Sequence, residues 1–323
     1  MTSAISGVTL KILTLLELPK VGQQTVKKLL QYPHLQATQD LQELGFLDPR
    51  LYQALSQPQV LQQASENVQK LQEQADQQGM QVFSLLDPQY PDLLRTSSDA
   101  PLLLYLQGNW EATDRHFTVV GTRTPTRHGE ITCERITRHF VQQGFGVVAA
   151  LVPGCASIGL QTALQEEVPS VAVLAAGLDQ PLAPALNRMI DQILQQGGTL
   201  ISPFPPGTVF RNHQQVQRDR LMTLLGLGVL LVQSGLDGTS VHPLKIALQE
   251  NRPVAVPALS QRDQQDAAEV TALNQKLFLQ DPQVASVLDL TEQQIQHILL
   301  LHGKEDYTRF EEQMGFAEMS LKN

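Results

Sequence analysis

Cysteine is scarce in this chain. Its 323 residues hold two, Cys133 and Cys155, and neither lies in a Cys-x-x-Cys or Cys/His spacing. That excludes a zinc ribbon or finger, and so few thiols in a chain of this length fit a reducing compartment. Aromatic residues are also few, at 5%, so the core has to be built from Leu, Val, Ile and Ala. No apolar stretch is long enough for a bilayer: the longest, about Leu221 to Val232, is short and interrupted by glycine. The opening segment MTSAISGVTLKILTLLEL has no basic n-region and no clear small-residue cleavage site. We expect a cytoplasmic protein with no membrane contact.

The signatures of common cofactors and nucleophiles are missing too. The glycines of VVGTRTPTRHG have the wrong spacing for a Gly-x-Gly-x-x-Gly fingerprint, which disfavours a nicotinamide enzyme. No Gly-x-Ser-x-Gly elbow occurs, and Ser157 follows a turn with no identifiable base beside it. His116, His128, His139, His213 and His242 show no helical metal spacing beside carboxylates and read as surface or capping residues. We expect no cofactor, no metal and no catalysis.

What is present is a globular composition. The hydrophobic fraction of 42% supports a sizeable core, and the length allows one large domain with one or two small ones. Lys and Arg number 23 against 32 Asp and Glu, a net charge of -9. An acidic total argues against coating nucleic acid over the whole surface and leaves any such contact to a local basic patch.

Along the chain, residues 1–79 read as a small helical domain. Within it LELPKVGQQTVKKLL resembles a helix-hairpin-helix turn, where a glycine permits the turn and the next helix offers amides to a phosphate; an ordinary helical turn fits equally well. A long polar helix runs from about Leu61 to Gly79. From residue 80 strands and helices alternate: QVFSLL, LLLYL, HFTVVGT, FGVVAAL, SVAVLAAG, TLIS, GVLLVQ and PVAVPA are strand candidates separated by helical stretches. Near-continuous Val/Ile/Leu strands alternating with helices predict a doubly wound, Rossmann-like parallel sheet over residues 80–290, with ligands at the carboxyl ends of the strands. Residues 291–323 are expected as a C-terminal helical tail, frayed at its end.

The residues from Tyr90 to Gly129 carry a resemblance. Tyr90-Pro91, Asp99, Pro101, Leu104-Tyr105 and Gly108 precede VVGTRTPTRHG, and GLD, GGTLISPFPPGT, QRDRLMTLLG and ALQENRPVAVPA follow in order. This series resembles the DNA processing protein A (DprA/Smf) family over roughly residues 85–258. The resemblance implies a Rossmann-like core that binds single-stranded DNA and loads the RecA recombinase onto it in natural transformation, usually as a homodimer and without covalent chemistry. Gly121, Arg123, Thr126 and Gly129 keep the family's pattern, Thr122 replaces its Ser, and His128 stands where Tyr is usual. Arg218 and Arg220 keep its two arginines. Other family positions have changed. Pro153, Ala156 and Leu160 stand where Arg, Asp and His are usual, Pro203 replaces a Glu, and Gln233-Ser234 replace Glu-Ala. A divergent DNA binder fits these departures, and so does a degenerate scaffold that binds a protein partner.

Physical weighing adds a candidate site. Gly121 allows a sharp turn, Thr126 can cap the next helix, and Arg123 and Arg127 add charge where backbone amides already face an anion; a purely structural turn is the alternative. Arg211, Arg218 and Arg220 lie within ten residues that hold one acid, Asp219. Lys245, on the last recognised helix, is a further candidate. The expected phosphate site is thus Gly121, Thr122, Arg123, Thr126, Arg127, Gly129, Arg218, Arg220 and Lys245. Only Phe204 and Phe210 offer stacking nearby, so binding should be mostly electrostatic. A nucleotide-binding enzyme of the lysine-decarboxylase-like Rossmann group is the other reading. Its PGGxGTxxE stretch is reduced here to SGLDGTSVH, without the Glu.

Overall fold

The computed structural model describes residues 5–38, 40–110, 115–266 and 269–321. The N-terminal region is helical because its start signals are strong and its strands are few. Ser6 Oγ accepts from the Thr9 amide at 3.2 Å and opens α1, Gly7–Glu17. The segment from Leu18 to Gly22 turns the chain into α2, Gln23–Leu29, with the Val21 amide on the Leu18 carbonyl at 3.2 Å. A short α3, His34–Ala37, precedes a 3-10 helix at Leu41–Leu47. Asp48 caps α4, Pro49–Leu55, and proline takes the first helical position, where its missing N–H costs nothing. The long polar helix is α5, Pro58–Gln77, which buries only Ala64, Val68 and Ala75. That narrow stripe of small residues packs against α1.

The sheet begins at β1, Met80–Ser84, and β2, Leu103–Gly108, separated by the four-residue helix α6, Asp92–Arg95. Alternation then sets in: β3 His116–Val120, α7 Arg127–Gln142, β4 Gly146–Ala150, α8 Cys155–Gln165, β5 Val171–Val173, α9 Pro184–Gln195, β6 Thr199–Ser202. It continues with α10 Gln214–Leu225, β7 Val229–Leu231, α11 Val241–Gln249 and β8 Val254–Pro257. Helices α12, Gln261–Asp266, α13, Ala272–Phe278, α14, Gln283–Leu288, and α15, Glu292–Gln296, lead to β9, Ile298–Leu301, and α16, Tyr307–Leu321.

Among the described residues the strands form one nine-stranded sheet in the order β1-β2-β6-β5-β4-β3-β7-β8-β9. From β6 to β9 every pair is parallel, while β2 runs antiparallel to both β1 and β6. This is the Rossmann-like α/β fold expected from the sequence, extended at one edge by an antiparallel hairpin. Every residue of β3 and β4 is buried, as a sheet covered on both faces requires. Strand order reverses between β3 and β7, so the loops after these two strands diverge and leave a crevice.

Two apolar cores result. One fills the sheet and its helices; the other joins the N-terminal helices to β1 and β2 through Val82, Leu103 and Tyr105. The Thr9 hydroxyl donates to the buried Asp87 carboxylate, which also accepts from the Ser84 amide at 2.6 Å, so a polar contact pins the two parts together. At the other end, the segment expected as a helical tail contributes an edge strand, β9, paired with β8. Its closing helix α16 seats Tyr307, Phe310 and Met314 in the main core, with Phe310 edge-on to Phe140 at 5.5 Å. Burying Phe310 and Met314 contributes about 2 kcal/mol each, enough to dock a single helix.

Candidate functional site

Two turns at the carboxyl ends of adjacent strands build the site. After β3, Gly121 passes so close to α8 that a Cβ there would lie 2.6 Å from Cys155 Sγ. The chain then enters α7, whose N-cap Thr126 accepts from the Gly129 amide at 3.0 Å. After β4, Gly154 adopts φ +91° and caps α8 without a side chain. The Cys155 amide donates to the Thr122 carbonyl at 3.1 Å, which ties the two turns together.

The amides of the first turn are largely engaged within the protein. Thr122 N–H donates to the Gln233 carbonyl at 2.8 Å, Thr124 N–H to Thr122 Oγ1 at 3.3 Å, and Thr126 N–H to Gln233 Oε1 at 3.0 Å. Gln233 follows β7, is 1% exposed, and also donates to Thr126 Oγ1 at 2.9 Å. Its carboxamide lies where a Gly129 side chain would be. On its far side are Asp263 and, 3.4 Å from that carboxylate, His128. Sequence reasoning noted Gln233 only as a departure from a family pattern; its role as the partner of the α7 N-terminus depends on β7 lying beside β3.

The expected cations separate. Arg123 is exposed and donates to Gln215 Oε1 at 3.1 Å. Arg127 is exposed and pairs with Glu130 at 2.8 Å. Arg218 is 6% exposed and pairs with Asp219, whose Oδ1 lies 2.6 Å from one guanidinium nitrogen and 2.8 Å from Nε. His242 Nδ1 stands 3.4 Å from the other Asp219 oxygen. Arg123 and Arg218 line one small cavity of about 30 Å³ with Gly121, Ala156 and Ser240. Arg220 points elsewhere, paired with Asp99 near Lys27 of α2. Lys245 is half-buried on α11. The structure therefore brings Gly121, Thr122, Arg123, Thr126, Gly129 and Arg218 together and leaves Arg220 on another face of α10.

A larger cleft of about 760 Å³ opens beside them at the point of strand-order reversal, between Thr122-Arg123, Gln215, the loop 235–240 and Glu269. Its wall mixes the exposed Arg123 guanidinium, held by Gln215, with glycine-rich backbone and two carboxylates, Asp237 and Glu269. No group of three or more His, Cys, Asp or Glu among the described residues could hold a metal. Both cysteines are buried, and the contact with Cys155, then burial, push the Cys133 thiol up, a setting in which a thiol is inert.

The family model for DNA recombination-mediator protein A matches residues 81–285, well over half of the chain. The chain belongs to this family. DNA processing protein DprA of Bacillus subtilis is 27% identical over 56% of the chain and 62% of its own length, and protein Smf of Escherichia coli 29% identical over 51% and 44%. The chain thus matches less than two thirds of the length of these relatives. Among solved structures, DNA processing protein A of Streptococcus pneumoniae superposes with a TM-score of 0.68 at 21% identity, covering 94% of this chain and 97% of that one. DNA processing protein A of Helicobacter pylori, described for its single-stranded DNA binding mode, superposes at 0.55 with 18% identity over 75% and 96%. At these identities the likeness speaks for the fold. No helix among the described residues of this recombination-mediator relative is long and apolar enough to cross a membrane.

Proposed function

We propose that this chain is a single-stranded DNA-binding recombination mediator that assists loading of the RecA recombinase during DNA uptake. It acts in the cytoplasm, as a homodimer and without covalent chemistry. The observation that carries the reading is the cleft at the strand-order reversal with exposed Arg123 at its mouth, in a chain of the recombination-mediator family. Phosphate would meet Arg123 and Arg127 first. The Gly121, Thr122, Thr126 and Gly129 backbone shapes the turn beneath them, and Arg218, paired with Asp219, braces it from within. Lys245 and Arg220 are then outlying contacts.

The test is a salt titration of single-strand binding. Each phosphate contact contributes roughly 0.7 to the slope of log K against log salt, so Arg123→Ala with Arg127→Ala should lower the slope by about 1.4 while leaving thermal stability unchanged. An unchanged slope would remove these arginines from the interface.

A scaffold that binds only a protein partner is favoured by one specific observation: amides of the 121–129 turn are satisfied internally by Gln233 and Thr126. Absence of single-strand binding at low salt would select it. The enzyme reading predicts release of base from a nucleoside monophosphate, and we expect none.

A further inference from the structure

Residues 18–38 contain Lys20, Lys27 and Lys28 and no acid, in a chain whose net charge is -9. The structure sets this basic segment against Arg220 of α10. Lys27 Nζ reaches the Ser98 carbonyl at 3.5 Å, and the next residue, Asp99, is taken by Arg220. Two cations therefore hold neighbouring residues, Lys27 the Ser98 carbonyl and Arg220 the Asp99 carboxylate, at the seam between the N-terminal helices and the sheet. Lys28 and Lys20 are exposed beside them. Burial, and then the charge of Arg220, lower the Lys27 pKa, the mark of a cation held where an anion would be welcome. Tyr32, one turn past Lys28, is 44% exposed in a chain poor in aromatics.

We propose that Lys27, Lys28 and Arg220, with Tyr32, form a second contact patch for a single nucleic-acid strand, continuing from the cleft at the strand-order reversal. This rests on the single-strand reading above. Lysines interleaved with an exposed ring suit a strand, whose phosphates pair with the cations while a base stacks on the tyrosine. A flat anionic surface suits the patch less, because Asp99 and the 86% exposed Asp92 would face it as well. Along α10, Arg220 lies five residues beyond Gln215, the partner of Arg123, about 7.5 Å along the axis. Five residues also carry Arg220 more than a third of a turn round the helix, so a strand that leaves the cleft has to wrap over α10 to meet the seam.

The experiment uses the full chain and labelled oligothymidylates of about 5 and about 16 nucleotides, the two ends of common single-strand site sizes. Lys27→Gln with Lys28→Gln should flatten the salt slope for the longer strand by about 1.4, two contacts at roughly 0.7 each, and leave the shorter strand unaffected. Tyr32→Ala should weaken the longer strand alone. Both variants should melt at the parent temperature. Equal slopes and affinities for the longer strand, in a parent that binds and loses affinity on Arg123→Ala with Arg127→Ala, would overturn the second patch and spare the cleft. A parent that binds neither oligonucleotide would overturn both. Competition by polyglutamate that matches DNA charge for charge would make the seam a general polyanion surface and overturn it as a strand contact.

Discussion

The turn after β3 and the turn after β4 lie side by side, and each opens a helix at the carboxyl end of its strand. The first holds most of the residues that the resemblance leads one to expect there, Gly121, Arg123, Thr126 and Gly129. The second has Pro153, Ala156 and Leu160 where the resemblance leads one to expect Arg, Asp and His. The structure inverts the obvious ranking. The family-like turn is closed by its own partners, because Thr126 and the buried Gln233 take the amides that an anion would use. The altered turn has a bare glycine cap: the Cys155 amide is taken by the Thr122 carbonyl, and no side chain caps α8. A preserved signature therefore preserves backbone shape, while availability to a ligand depends on what neighbouring strands place against it.

The strongest test of this contrast is the guanidinium between the two turns. Arg218→Ala would leave the buried Asp219 carboxylate with only His242 nearby, and breaking a buried pair in this way costs about 3–5 kcal/mol. Chemical denaturation should show that loss, whereas Arg220→Ala, at a partly exposed pair, should cost about 0–1 kcal/mol. Equal effects would mean that Arg218 is not the internal member. Next comes Gly154→Ala. Its positive φ and the Thr122 carbonyl pressed against the missing Cβ should together cost about 3 kcal/mol. A neutral outcome would show that the second turn is free to relax.

His116 joins the two strands, since its ring lies 2.6 Å from where a Gly146 Cβ would sit. Burial holds its imidazole down to about 4, against an ordinary 6.5. Between these values the unfolded chain binds more protons than the folded one. Stability is therefore full above pH 6.5 and falls as the pH drops toward 4, by about 3 kcal/mol in all. His116→Asn should flatten that part of the denaturation-against-pH curve. A smaller effect is expected at the first turn: Gln233→Ala removes two partly buried hydrogen bonds with Thr126 and should cost about 1–2 kcal/mol. If the freed amides are an anion site, the same variant should bind single-stranded DNA more tightly. The least effect on stability is expected from Arg127→Ala, within about 0.5 kcal/mol, because Arg127 is exposed and Glu130 half-exposed.

Much of the sheet was legible because buried parallel strands leave continuous apolar runs. HFTVVGT and FGVVAAL became β3 and β4 with boundaries close to those read from the residues. The antiparallel placement of β2 against β6 was not legible, since 90 residues separate Gly108 from its partner Thr199 and no local pattern links them. Within the site, Thr126 as a cap was readable from its place before a helix. Gln233 and Asp263 were not, because their approach to α7 crosses more than a hundred residues.

By itself the sequence determined which segments would be strands and helices, through apolar periodicity, caps and glycine turns, and it carried the family's ordered motifs. The tertiary structure alone decided which charges face solvent. Arg218 and Arg220 are two residues apart on one helix and chemically identical, yet one turns inward to Asp219 and the other outward to Asp99. Residues two apart on an α-helix point in different directions, and only the surfaces packed around α10 settle which direction is buried.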